Sequence, residues 1–458
     1  MAPYDAIAKR NADDERIAFA RKLLDAGGDI VSFVDKRLGW NGAGRYNGLL
    51  GGSFNISLKV KRGDSDEHVI TRFPSPRKVH GPWREEKVKN EVMVMNYVRE
   101  HTGIPVPRVR CWGLTEESPQ QLGPFIIMDF VEGQSLGRFL AQPTEDKAKL
   151  VFLDPNVDEA KLDNIYEQIA SFILELSRPE FRRIGAISKD ATSGEWAVTG
   201  RPLTYDMNEV VTVGGCPAEQ FATMAPFDRA GAYFAACAQY FQTHLEAQRN
   251  IAGDDEDLAW RQFIARRCFA KLIPTYGTVD NAGPFRLFCD DLRPTNMLVD
   301  LKTLRITAVF DFEFTNVMPA QFAYDVPWWL LLQPPAVWLR DGNMEDFLRL
   351  FEPRKDQFIR AVERAEARSS LPAGETPLSA RMRDSWNSRR FWFNLASRCS
   401  FDVDDFYWQA LHKEGLGEAT LDSATMAQKE RFLEHKMRQV DDYCKEKGND
   451  ERFAEEQA

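Results

Sequence analysis

Residues 285–314 constrain the fold of this chain more than any other stretch. Two apolar runs, Phe285–Asp300 and Leu304–Phe314, are joined only by Leu301-Lys302-Thr303 and read as strands. Polar groups stand where such strands end. Asp291 and Asn296 lie five apart on a Pro-containing loop, and Asp311 follows the apolar segment Ile306–Phe310. Any one of the three has a plain explanation as a turn carboxylate or a capping amide. Together, at this spacing and flanked by strands, they supply the parts that phosphoryl transfer needs. One carboxylate accepts or orients a hydroxyl proton, while an amide oxygen and a second carboxylate hold Mg²⁺ against nucleotide phosphates. Hard oxygen ligands suit magnesium and would hold zinc poorly.

The chain around this stretch changes texture once. Residues 13–38 read as helix, with Ile17, Ala20, Leu23 and Leu24 on one face and Gly27-Gly28 as an interruption. Residues 54–61 alternate as a strand, residues 69–73 form a second, and Pro74 and Pro76 stop it. Glu85–His101 is a helix striped by Val88, Val92, Met95 and Val98. Glu91 falls on that apolar side, which is costly unless a cation meets it. Residues 106–114 and 125–130 add strands; beyond Val131-Glu132-Gly133 the chain turns largely helical, including 163–177, 230–249 and a charged segment over 426–458.

Composition narrows the function classes. There are 59 Lys and Arg against 69 Asp and Glu, a net charge of −10, which argues against a general nucleic-acid binder and favours a cationic or neutral substrate. Seven scattered cysteines without a C-x-x-C pair argue against a disulfide framework or a structural zinc. Six isolated histidines offer no triad or metal cluster. Val326–Leu339 is the most apolar stretch, but Gln333-Pro334-Pro335 breaks it and it is too short to span a bilayer. The N-terminus has no apolar core of signal-peptide length, so the expected location is cytoplasmic. No membrane partner is expected, and the oligomeric state is not legible.

Tyr46-Asn-Gly-Leu-Leu-Gly-Gly-Ser-Phe-Asn55 precedes the first clear strand. Adjacent glycines let backbone N–H groups approach phosphate oxygens, and Ser53 adds a hydroxyl. A plain hairpin turn is the competing reading. The spacing is not that of a P-loop, and Gly42-Ala-Gly44 lacks the third glycine of a dinucleotide fingerprint.

Asp291-Leu-Arg-Pro-Thr-Asn296 resembles the H-G-D-x-H-P-x-N catalytic loop of aminoglycoside phosphotransferases and related small-molecule kinases. Val309-Phe-Asp-Phe-Glu313 resembles their I-D-[WF]-E metal segment. The likeness runs from about residue 40 to 412. Gly200–Thr204, Ser385-Trp386 and Arg390–Phe393 are similar to the fungal phosphotransferase-family variety.

The resemblance implies an α+β, bilobal, protein-kinase-like fold. Residues 1–128 would be a small β-rich N-lobe with a helical extension, and 129–458 a larger, mainly helical C-lobe. It implies ATP and Mg²⁺ as cofactors and a small-molecule hydroxyl as acceptor. Asp291 would be the base, with Asn296 and Asp311 on the metal. Gly51, Gly52 and Ser53 would cover the phosphates, Arg72 would pair with Glu91, and Met128 and Phe130 would lie in the hinge Met128–Val131, which offers backbone groups to the adenine. Asp325 would brace the catalytic loop through backbone N–H groups.

Three positions depart from the family pattern. Arg72 stands where most kinases place Lys; it answers the charge of Glu91. Cys289 replaces the usual His two residues before the base, and reads as a small buried residue. Arg293 stands two after the base, where it is expected to stabilise charge on the transferred phosphoryl group. Trp328, Trp329 and Trp338, with residues 401–408, form either a cation-holding wall or core of the helical lobe. The competing class is a pseudokinase, a nucleotide-binding or scaffold module without turnover, for which Arg72 and Cys289 speak. A protein kinase fits less well, because the metal motif lacks the Gly of D-F-G and no A-P-E segment follows.

Overall fold

The computed structural model describes residues 4–63, 65–144, 150–369, 374–413 and 416–457. Five antiparallel strands build the first lobe: β1 (Gly44–Gly51), β2 (Asn55–Arg62), β3 (His68–Pro74), β4 (Val109–Gly113) and β5 (Phe125–Asp129), in the order β1-β2-β3-β5-β4. Alternation on β2 sends Ile56, Leu58 and Val60 to one face, where they are buried. Helices α1 (Ala6–Asp25) and α2 (Gly27–Leu38) cover that face through Phe19, Leu23, Ile30 and Val34. The break between them falls at buried Ala26, and both glycines sit inside the first turn of α2. Asp5 caps α1 by accepting from Ala8 N–H at 2.9 Å, so the helix starts earlier than position 13.

Helix α3 (Arg84–His101) crosses the other face of the sheet. Val88, Val92, Met95 and Val98 pack there with Ile126 and Met128. Acidic Glu85 and Glu86 in its first turn and Arg99 and His101 in its last match the helix dipole.

The second lobe is mainly helical and carries the 285–314 stretch on short ladders. Strands β6 (Gln134–Ser135), β7 (Ala186–Lys189), β8 (Trp196–Gly200), β9 (Arg286–Phe288), β10 (Met297–Asp300), β11 (Arg305–Val309) and β12 (Asn316–Met318) form three sheets, β11-β10-β6, β12-β9 and β7-β8. Helices α4 (Leu136–Leu140), α5 (Glu159–Ser177), α6 (Tyr205–Thr212), α7 (Ala230–Ala247) and α8 (Glu256–Tyr276) surround them. Helices over 344–367, 378–387, 390–396 and 429–449 complete the lobe. Asp158 and Asp255 cap α5 and α8 through bonds of 2.9 and 2.8 Å. This is the expected α+β, bilobal, protein-kinase-like architecture. Among the described residues no helix is long and apolar enough to cross a membrane.

Helix α1 touches both lobes. Its N-terminal end meets the helix over 429–449, where Ala6 N–H donates to the Tyr443 hydroxyl at 3.1 Å. Further along, Arg16 donates to the carbonyl of Gly52 at 3.0 and 3.2 Å.

Candidate active site

The strand β9 delivers Cys289–Arg293 into a loop, a 3₁₀ turn over Pro294–Asn296 follows, and β10 leads away. Asn296 locks this loop. Its Nδ2 donates to the Asp291 carboxylate at 2.6 Å and to the Asp291 carbonyl at 3.0 Å. That commitment of the amide nitrogen leaves the amide oxygen as the atom free to meet a cation. Arg293 Nε lies 2.7 Å from the other Asp291 oxygen, and its guanidinium stands over the Trp328 ring at 5.7 Å.

The metal segment leaves β11 at Val309 and turns sharply. Asp311 adopts φ +70° and Phe314 φ +61°, a left-handed conformation that a side chain occupies at a cost. Arg72 Nη1 of β3 reaches Asp311 at 3.4 Å, and the same guanidinium is paired with Glu91 of α3. The buried carboxylate flagged by its helical position is thus met by the expected arginine. Asp291, Arg293 and Asn296 come together on one loop, and Arg72 stands between the carboxylates of Glu91 and Asp311.

Desolvation, opposed by Arg293 and reinforced by Asp311, lifts the Asp291 carboxyl to about 7. Desolvation and Glu313 raise Asp311 to about 6, with Arg72 and Lys87 pulling the other way. Asp325 is likewise raised to about 7 by burial. A folded chain with such groups keeps protons that the unfolded chain has already lost above its carboxylate pKa of about 4. Their contribution to stability therefore falls as pH rises from about 4 to about 7. Asp291 and Asp311 repel each other across the site, and each also faces an arginine, Arg293 and Arg72 respectively. The donor set of Asp311 and the Asn296 oxygen suits Mg²⁺.

The Gly-rich segment is a hairpin. Gly51 pairs with Ile56 in the β1–β2 ladder, and Gly52 N–H donates to the Asn55 carbonyl at 2.9 Å. The Gly52 amide is thereby committed within the turn, while Ser53 is exposed at its tip. Phe54 ties the hairpin to the metal segment through a ring contact with Phe314 at 5.7 Å. Met128 and Phe130 stand at the far end of β5. Met128 is buried between β3 and β4, and Phe130 N–H donates to the His68 carbonyl at 3.1 Å.

Several contributors escaped the sequence reading. Lys87, Asn55 and Glu313 form a buried cluster behind Asp311: Asn55 Nδ2 donates to Glu313 at 2.8 Å, and Lys87 pairs with Glu313. The i,i+4 spacing of Lys87 and Glu91 on one helix face was the available signal. Asp290 binds Arg398 at 2.6 Å, and its carbonyl accepts from Trp328 Nε1 at 3.0 Å. Asp325 differs from expectation: its oxygens accept from Ser385 Oγ and, at 2.9 and 3.0 Å, from Asn394 Nδ2. It anchors helices 378–387 and 390–396, and reaches the Asp291 loop through Asn394, Arg398 and Asp290. Trp329 is buried against Phe358, Trp338 packs on Phe152 and Phe347, and Trp328 stands beside the Asp291 loop. Cys289 is buried, which pushes its thiol up to about 12 and fits a packing residue.

The sequence profile of the phosphotransferase enzyme family, which includes the aminoglycoside phosphotransferases, matches residues 52–352. The chain belongs to that family. It is 22% identical over 304 residues to altered inheritance of mitochondria protein 9 of Lachancea thermotolerans, a match covering 59% of this chain and 48% of that one. The chain thus spans about half the length of this curated relative. Among solved structures, an ethanolamine kinase of Plasmodium vivax superposes with a TM-score of 0.44 and 12% identity, covering 92% of this chain and 86% of the other. An aminoglycoside phosphotransferase in complex with ADP and hygromycin B gives 0.42 at 12% identity, covering 90% and 97%. The expected cytoplasmic location is overturned: the relatives named altered inheritance of mitochondria protein 9 in Lachancea thermotolerans, Zygosaccharomyces rouxii and Eremothecium gossypii carry a mitochondrial designation.

Proposed function

We propose that this phosphotransferase-family protein moves the γ-phosphoryl group of ATP to a hydroxyl of a small molecule, with Mg²⁺. The Asn296 clamp on Asp291, beside Asp311, carries this reading. Asp291 takes the hydroxyl proton as the acceptor oxygen bonds to phosphorus and the bond to ADP breaks in line. The Asn296 oxygen and Asp311 would hold Mg²⁺, which neutralises phosphate charge when bound. Arg293 offsets negative charge on the transferred group, and it keeps Asp291 oriented beforehand. Gly51, Gly52 and Ser53 cover the phosphates as a hairpin lid. Met128 to Phe130 border the adenine where the lobe of residues 1–128 meets that of 129–458. The acceptor is a neutral or cationic alcohol, in keeping with the charge of −10.

Two measurements test this. Mg²⁺-ATP at 100 times its Kd should stabilise the chain by about 2.7 kcal/mol. No thermal shift with ATP or GTP would sink the nucleotide reading, and a shift without turnover across a metabolite screen would favour the pseudokinase. The pH profile is the second. Activity requires ionised Asp291, whose carboxyl sits at about 7 before Mg²⁺ binds, so with Mg²⁺ bound activity should be lost on the acid side of a limb below that value. Arg293→Ala removes the cation that holds this carboxyl down, and its acid limb should lie at higher pH than that of the wild type. An unmoved limb would separate Arg293 from the base.

A further inference from the structure

Lys87 has no role in the mechanism above, yet it is among the most deeply buried charged side chains of the chain, 1% exposed. Its ammonium faces acceptors from three different elements. Glu313, two residues beyond Asp311, pairs with it directly. Asn55, the first residue of β2 after the Gly-rich turn, accepts at 3.1 Å through Oδ1. Glu91, one turn further along α3, stands at 3.8 Å. Asn55 in turn donates to the Glu313 carboxylate at 2.8 Å, which closes a triangle of Lys87, Glu313 and Asn55. A buried ammonium needs its hydrogen bonds filled and its charge matched, and this triangle does both.

The placement matters because the triangle joins the two segments that must meet one nucleotide. Asn90, three residues after Lys87, adds a parallel tie by donating to the Thr315 carbonyl at 2.8 Å. Arg72 touches Asp311 itself; Lys87 acts through its neighbour. We propose that Lys87 is a positioning residue for metal binding: by holding Glu313 against Asn55 it fixes Asp311 in register with the Gly-rich hairpin. This rests on the nucleotide-binding reading above.

The decisive variant is Lys87→Met/Glu313→Gln, which removes both charges and leaves neither partner buried alone; Lys87→Arg is the conservative control. In the nucleotide-free protein, amide hydrogen exchange over residues 52–57 and 311–316 should accelerate together by about tenfold or more, with α5 unchanged. The Mg²⁺ concentration giving half of the ATP-induced thermal shift should rise at least ~5-fold, while the shift with ATP in EDTA stays near that of the wild type. Lys87→Arg should restore the Mg²⁺ midpoint to within about twofold. A double variant with an unchanged Mg²⁺ midpoint, or faster exchange confined to α3, would overturn the assignment. A wild-type chain with no response to Mg²⁺-ATP would instead overturn the proposed function, and the exchange result would still decide whether Lys87 ties the two segments.

Discussion

Asp291→Asn should stop phosphoryl transfer while leaving nucleotide binding intact. The substituted side chain keeps the size of the original and still offers an oxygen to Asn296, whose Nδ2 now lies 2.6 Å from the carboxylate. What it loses is the capacity to take a proton. A positioned general base contributes about 10²–10⁴-fold in rate, so the loss should fall in that range. The measurement is product formation on whichever acceptor the metabolite screen identifies, with mass detection of the phosphorylated alcohol. The control is the Mg²⁺-ATP thermal shift, which should match that of the wild type because Asn296 and Asp311 are untouched. Retention of a tenth of the wild-type rate would remove Asp291 from the role of base.

The second large effect concerns stability. Glu91→Ala should destabilise the chain by about 3–5 kcal/mol, because it strips the partner from a buried cation. The side chain of Glu91 is 1% exposed and that of Arg72 10%. With Glu91 gone, Arg72 keeps only the longer contact with Asp311, and Lys87 loses one of its neighbours. The double replacement Arg72→Met/Glu91→Leu removes both charges and should recover most of the loss, since a buried ion pair is seldom worth more than well-packed apolar residues. It should not recover binding of Mg²⁺-ATP. Urea unfolding followed by tryptophan fluorescence reads the first quantity. A cost below ~1 kcal/mol for Glu91→Ala would show that the pair is not desolvated.

The loop of Asp291 and Asn296 was legible as a unit because its contacts are local. Asp291 and Asn296 are five residues apart, and the bonds between them confirm that the spacing carries one structural unit. Glu91 was legible for the opposite reason: a carboxylate on an apolar helix face contradicts its surroundings and demands a cation. Lys87 was not, because a lysine one turn before a glutamate is the common pattern of a solvated helix surface. Only the tertiary fold, which brings Glu313 and Asn55 from 226 and 32 residues away, reveals that both are inside. Asp325 shows the same limit. Its position in the chain was marked, but its partners Ser385 and Asn394 lie 60 and 69 residues on, and no periodicity encodes them. The break of the first helix was misplaced because glycine was weighed by propensity alone; Ala26 turns there to enter the core while Gly27 and Gly28 continue as helix. Location failed for a different reason: the want of an apolar signal-peptide core bears on secretion and says nothing of other compartments.

The path of α1 has a kinematic consequence. A two-lobed molecule joined at one connection can swing about many axes, like a box lid held by a single strap. Here β5 runs into β6 on one side of the cleft, while α1 crosses between the lobes elsewhere, pinned to Tyr443 at one end and to the sheet core by Phe19 and Leu23 at the other. Arg452 adds a rivet to Asp14 at 2.7 Å. These join the ties of Lys87 to Glu313 and of Asn90 to Thr315, so swinging one lobe against the other must break several contacts at once. Because Arg16 grips Gly52 from the same helix, the turn over the cleft travels with the door and not independently of it.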